Sequence, residues 1–141
     1  MIFQNEKVSM YLGVVKYQFK DAEDEWDRSW LMARIKLVEK NRVFETIDPC
    51  LETGELKYMI KWFRSLPNPT YDELSFTEPN LTFEYIGEKE GGFDIRIHLS
   101  YESKPSWCKE EAYSFVINMT NEEREHIICA VEEQQRRFQK R

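Results

Sequence analysis

Apolar residues alternate with polar ones over most of this chain and fall at helical spacing in only two stretches. Leu31, Ala33, Ile35 and Leu37 interleave with Met32, Arg34 and Lys36, the period-2 signature of a strand with one face in the core. Asn41 suits a turn, and Val43-Phe44-Glu45-Thr46-Ile47 then pairs back. Asp48-Pro49 closes that strand, because proline has no N–H to give to a ladder. Upstream, Val8 to Phe19 is β-branched and aromatic with looser alternation, which predicts a strand or a hairpin broken near Gly13.

The second half repeats the β signal. Leu74 and Phe76 make a short strand before Glu78-Pro79-Asn80. Leu81, Phe83 and Tyr85 alternate with Thr82 and Glu84, and Phe93, Ile95, Ile97, Leu99 and Tyr101 with Asp94, Arg96, His98 and Ser100. The turn from Gly87 to Gly92 joins these two as a hairpin. Tyr113, Phe115, Ile117 and Met119 supply a further strand.

The helical stretches are expected over about 54–66 and about 121–139. In the first, Thr53 suits the N-cap and Glu55 the first turn. Leu56, Met59, Ile60 and Phe63 share one face, and Leu66-Pro67-Asn68-Pro69 stops the helix. The second opens on the capping box Thr120-Asn121-Glu122-Glu123 and carries Ile127, Ile128, Val131 and Phe138 as its apolar stripe. Arg136, Arg137, Lys140 and Arg141 suit the negative end of its dipole. No internal sequence repeat is visible. These elements imply an α+β fold, one domain over residues 1–141, with a mainly antiparallel sheet of about six or seven strands covered by two amphipathic helices.

A chain of 141 residues, 41% of them hydrophobic, can bury roughly 70% of its unfolded surface. The net charge of −6 argues against general nucleic-acid binding and against adsorption to anionic lipid; it serves solubility, the commoner reason for such a charge, or favours a basic protein partner. The chain start lacks a basic, then apolar, leader, and no apolar run approaches the ~20 residues of a membrane span, so a cytoplasmic protein is expected. Cys50, Cys108 and Cys129 form no CxxC pair or metal-ligand spacing and read as small apolar fillers, Cys129 within a helical stretch.

The charge is unevenly placed. Asp21, Glu23, Asp24, Glu25 and Asp27 put five carboxylates into seven positions, with Trp26 among them and Trp30 just beyond. Such a block is a solvated loop or a surface built to meet positive charge. Asp21, Glu23, Glu25, Asp27 and Ser29 alternate as calcium-loop ligands do. Trp26, however, stands where that loop needs glycine, and Met32 stands where it needs a bidentate glutamate. No metal or cofactor is expected. The carboxylates are adjacent rather than set across a cleft, which does not suit acid–base catalysis. The partner-binding candidates are therefore Glu23, Asp24, Glu25, Asp27, Trp26 and Trp30, a tryptophan in such a loop being either a core anchor or an interface hot spot.

No catalytic residue is assigned. His98 and His126 belong to no metal or nucleophile motif, and no phosphate- or dinucleotide-binding glycine pattern occurs. Asp94, Arg96 and His98 are the one polar constellation that could support an enzyme, if a deep pocket gathered them.

Three stretches together resemble a known family. They are Tyr17-Gln18-Phe19 followed by Asp21 to Leu31; Asp48-Pro49-Cys50-Leu51-Glu52-Thr53 with Glu55-Leu56 and Trp62-Phe63; and Leu74 to Glu84. Their order and spacing are similar to the WapI family of bacterial immunity proteins, over nearly the whole chain. The resemblance implies a non-enzymatic protein that binds the C-terminal toxin domain of a cognate WapA-like, Rhs-type protein, a tRNA-cleaving nuclease in the best-known case. Such a toxin domain would be basic. The alternative is a non-catalytic protein- or ligand-binding domain of another role. The resemblance assigns no interface residues.

Overall fold

A computed structural model describes residues 1–141. Four strands form the first sheet in the order β1 (Ile2–Gln4), β2 (Val8–Tyr17), β3 (Trp30–Glu39), β4 (Arg42–Glu52), all antiparallel. A short helix, α1 (Glu25–Ser29), is inserted between β2 and β3, and α2 (Glu55–Ser65) follows β4. The second sheet runs β5 (Glu73–Leu74), β6 (Leu81–Lys89), β7 (Gly92–Ser100), β8 (Ala112–Met119), again antiparallel, and is followed by α3 (Asn121–Arg137). The expected α+β class is what the chain adopts. Its strands divide into two sheets of four, so the architecture repeats as four strands and a helix even though the sequence does not.

The two sheets and both long helices share one cluster of 31 buried residues. Phe3 of β1, Phe63 of α2 and Phe83 of β6 meet at its centre, with Phe83 5.2 Å from Phe3 and 5.4 Å from Phe63 between ring centroids. Each such ring contributes about 1.5–3 kcal/mol through burial, and this trio joins both halves. On α2, the stripe Leu56, Met59, Ile60 and Phe63 is buried as the spacing predicts, and Trp62 joins it. On α3 the same holds for Ile127, Ile128 and Val131, and Phe138 is buried just past its end.

Local signals were mostly decisive. Thr120 and Glu123 close the capping box in both directions. The β6–β7 hairpin turns through Glu90 and Gly91, both with positive φ. Gly13 does not break β2. Instead, the ring of Tyr11 lies over it, and an added Cβ would come within 2.4 Å of the Tyr11 hydroxyl. The irregularity comes just after, as a register shift between Val14 and Lys16.

Other expectations require correction. Pro49 does not close β4, which runs on to Glu52, the proline falling where the β3–β4 ladder is irregular between Asp48 and Leu51. Phe76 lies beyond β5 and Tyr101 beyond β7. Thr53 is not the N-cap of α2, whose cap position is Gly54 with no side-chain bond. Cys129 is exposed, on the wet side of α3, whereas Cys50 is the buried thiol, its pKa pushed up to about 12 chiefly by burial. The acidic block is not wholly loop, since α1 lies inside it.

Candidate functional site: an acidic depression beside Trp26

Asp24 starts α1. Its carboxylate accepts hydrogen bonds from the backbone N–H groups of Trp26 at 2.8 Å and Asp27 at 3.3 Å, satisfying two of the free donors of the first turn. Ser29 Oγ donates to the Trp26 carbonyl at 2.7 Å. Arg28 folds back to donate to the carbonyls of Ala22 and Glu23. A like-charged segment that would otherwise be a mobile loop is thus held as a compact turn by its own polar groups.

The end of the chain holds it from outside. The Arg141 guanidinium lies 3.9 Å from the centre of the Tyr17 ring and donates to the carbonyls of Phe19, Lys20 and Arg28. Tyr17 Oη donates to the Gln139 carbonyl at 2.6 Å. Lys140 Nζ sits 3.2 Å from Glu25 Oε1. The basic residues beyond α3 therefore serve the acidic block rather than the helix end.

The two tryptophans divide the roles expected of them. Trp30, the first residue of β3, is 8% exposed, and Trp26 is 57% exposed. Their rings meet edge-to-face, with centroids 5.7 Å apart and planes at 81°. Trp26 thus stands in solvent on a buried aromatic base. Around it Asp21, Glu23, Asp24 and Glu25 are exposed and Asp27 is half-buried.

Between α1 and the β4–α2 turn lies a depression of about 500 Å³, lined by Asp24, Glu25, Trp26, Glu52, Thr53 and Lys140 among others. The Thr53 N–H donates to the Ser29 carbonyl at 2.9 Å, which fixes the two walls together. Under one wall, the buried Glu55 carboxylate accepts from the N–H of Glu52, the N–H of Thr77 and the hydroxyl of Thr77. Glu52 Oε1 and Thr53 Oγ1 are sealed from solvent and have no hydrogen-bond partner. Burial, and then repulsion from Glu55, holds the Glu52 carboxyl above the usual carboxylate range. Sequence reading named Asp24, Glu25 and Trp26 but missed Glu52, Thr53 and Lys140, which only tertiary structure brings to the same place.

Two other polar surfaces are distinct from this one. Glu84 Oε1 accepts from Arg96 at 3.1 Å and lies 3.2 Å from His98 Nε2, while His98 Nδ1 is 2.7 Å from Ser114 Oγ. Asp94 is not in that group and instead accepts from Asn118. The set is spread over the solvent face of β6, β7 and β8, with side chains about a third exposed. Its hydrogen bonds hold the Glu84 carboxyl below its usual range. A groove between α2 and α3 is basic, lined by Lys57, Lys61 and Arg64, with Arg64 paired to Glu132 at 3.0 Å. No helix is long and apolar enough to cross a membrane.

A family model for WapI-like immunity proteins matches residues 1–139, spanning both sheets and all three helices. The chain belongs to this family. The WapI-like match covers the acidic block and the lining of the depression except Lys140. Among curated proteins none matches. A solved structure of the plant transcriptional regulator PBF-2 is similar over 97% of this chain and 79% of its own, with a TM-score of 0.50 at 10% identity, a likeness of fold.

Proposed function

We propose that this WapI-like chain acts in the cytoplasm as one domain that binds and neutralises, without catalysis, the C-terminal toxin domain of a cognate WapA-like protein. The observation that carries the reading is Trp26, exposed on a buried aromatic base within a surface of carboxylates, in a chain whose family is that of immunity proteins. A desolvated tryptophan surrounded by polar rim groups is the residue type that dominates interface energies. The surrounding carboxylates attract a partner whose own surface is basic, as a nuclease surface that grips RNA phosphates must be.

The proposed interface is Glu23, Asp24, Glu25 and Asp27 with Trp26, and Trp30 beneath as its support. The direct test is co-purification with the C-terminal domain of a WapA-like protein from the same genome, followed by association kinetics. The on-rate should fall steeply as salt rises. Replacing Glu23, Asp24, Glu25 and Asp27 by their amides together should slow association at least about tenfold at low salt. The asparagine at position 24 retains the helix cap, so folding is preserved. An unchanged on-rate would mean that the block is a solvated turn and that the toxin binds elsewhere.

A further inference from the structure

We propose that the depression between α1 and the β4–α2 turn is a seat for one lysine or arginine side chain of a basic protein partner, and that Lys140 of the chain's own C-terminal segment occupies it until that partner arrives. The inference rests on the binding role proposed above and specifies its anchor.

The carboxylates around the depression are not equivalent. Asp24 is committed to capping α1, and Glu55 to three donors from Glu52 and Thr77. Glu25 and Glu52 are the two with capacity to spare. Glu52 Oε1 and Thr53 Oγ1 are buried acceptors without partners, and Thr53 is only 6% exposed. Orphaned buried acceptors are costly in a native protein and mark a missing donor. An ammonium brings three donors and a guanidinium five, so a cation seated beside Glu25 has donors left over for Glu52 and Thr53 once those side chains turn toward it. The exposed indole of Trp26 at the rim can cover the aliphatic stem or the cationic head of the incoming side chain. The Glu52 carboxyl is held above its usual range by partial burial and then by the neighbouring Glu55, against the lowering effect of the Thr77 hydroxyl.

Lys140 is suited to being displaced. Its ammonium reaches Glu25 alone, and the two side chains are 70% and 76% exposed, so solvent screens the pair. Arg141, by contrast, is fastened by a ring and three carbonyls. Lys140 can therefore leave while its neighbour keeps the segment in place.

The test is an amide and indole NMR titration of the full chain with trilysine at low salt. Saturable shifts should be confined to the Trp26 indole N–H, the Thr53 and Gly54 amides and their neighbours. Lys140→Ala should tighten trilysine binding about threefold or more, and Glu52→Gln should weaken it about tenfold, as expected for a charge-assisted contact. Shifts spread over the whole acidic surface, with one affinity for wild type and both variants, would overturn the seat. This titration needs no toxin, so it decides the seat by itself. With the toxin domain in hand, wild-type association by Glu52→Gln would remove the seat and leave neutralisation standing. Failure of the wild-type chain to bind the toxin domain would remove the neutralisation reading and leave trilysine to decide.

Discussion

Trp26 meets Trp30 edge-to-face, with ring centroids 5.7 Å apart, one ring in solvent and the other in the wall of the fold. The pair separates stability from recognition. Trp30→Ala removes a buried ring from the start of β3 and should cost about 3–5 kcal/mol, read as a lower urea midpoint. Trp26→Ala loses an edge-to-face contact and little buried area, so its cost should stay within about 1.5 kcal/mol. Toxin affinity should respond in the opposite proportion, with Trp26→Ala losing about 2 kcal/mol or more of binding. Equal effects of both substitutions on stability would show that Trp26 is a core residue.

Glu39 links the β3–β4 hairpin to the second sheet. Its Oε2 accepts from Tyr113 Oη at 2.9 Å and Trp107 Nε1 at 3.0 Å, with Arg42 at 3.4 Å and stacked on the Trp107 ring. The Tyr113 hydrogen bond foremost holds the Glu39 carboxyl below its reference value of 4.5, while burial first and this bond second raise the Tyr113 hydroxyl. A carboxyl depressed by folding contributes stability that is present above pH 4.5 and is lost as pH falls through its lower native value. Glu39→Ala should cost about 2 kcal/mol at neutral pH, as loss of hydrogen bonds to a charged acceptor does. That difference should shrink in acid denaturation below pH 4.5. A cost independent of pH would assign the effect to packing.

Glu52 has the opposite sign. Its carboxyl is raised above 4.5, so ionisation costs native-state stability that is recovered only in acid. Glu52→Gln should therefore stabilise the chain near neutral pH, by under about 1 kcal/mol because the group is partly solvated. The gain should vanish below pH 4.5. A gain in stability accompanied by a loss of trilysine affinity would be the mark of a group kept for binding at the expense of the fold.

Most of the fold is legible in the sequence because six of its eight strands are long and show a wet face, whereas the short edge strand β1 carries no such signal. The alternation from Leu31 to Leu37 and from Phe93 to Leu99 reports burial directly. The division into two sheets is not legible, since alternation tells which face is buried but not which strand lies beside which. The site shows the same limit. Asp24, Glu25 and Trp26 are contiguous and visible as a charge block. Glu52 reaches them because it pairs with Trp30 across the sheet, after a register shift between Leu31 and Ala33 that turn chemistry does not announce. Thr53 looks like a helix cap because threonine before an acidic first turn usually is one. Here Glu55 reaches back to the Glu52 N–H instead, leaving the Thr53 hydroxyl unpartnered.

Arg141 has a measurable role at this surface. It is far in sequence from the acidic block, yet it donates to three carbonyls there and covers Tyr17. These contacts are exposed and involve no core residue, so Arg141→Ala should lower global stability by under about 1 kcal/mol. Its local effect should be larger. Releasing the carbonyls of Phe19, Lys20 and Arg28 removes the outer fastening of the segment, and amide exchange from Phe19 to Ser29 should accelerate while strands β6 and β7 stay protected. Association with the toxin domain should weaken through ordering cost, since a loosened surface must be refixed on binding. Arg141→Lys should not rescue it, because an ammonium cannot both stack on a ring and donate to three carbonyls in the planar arrangement of a guanidinium. Rescue by lysine would reduce the contact to simple charge.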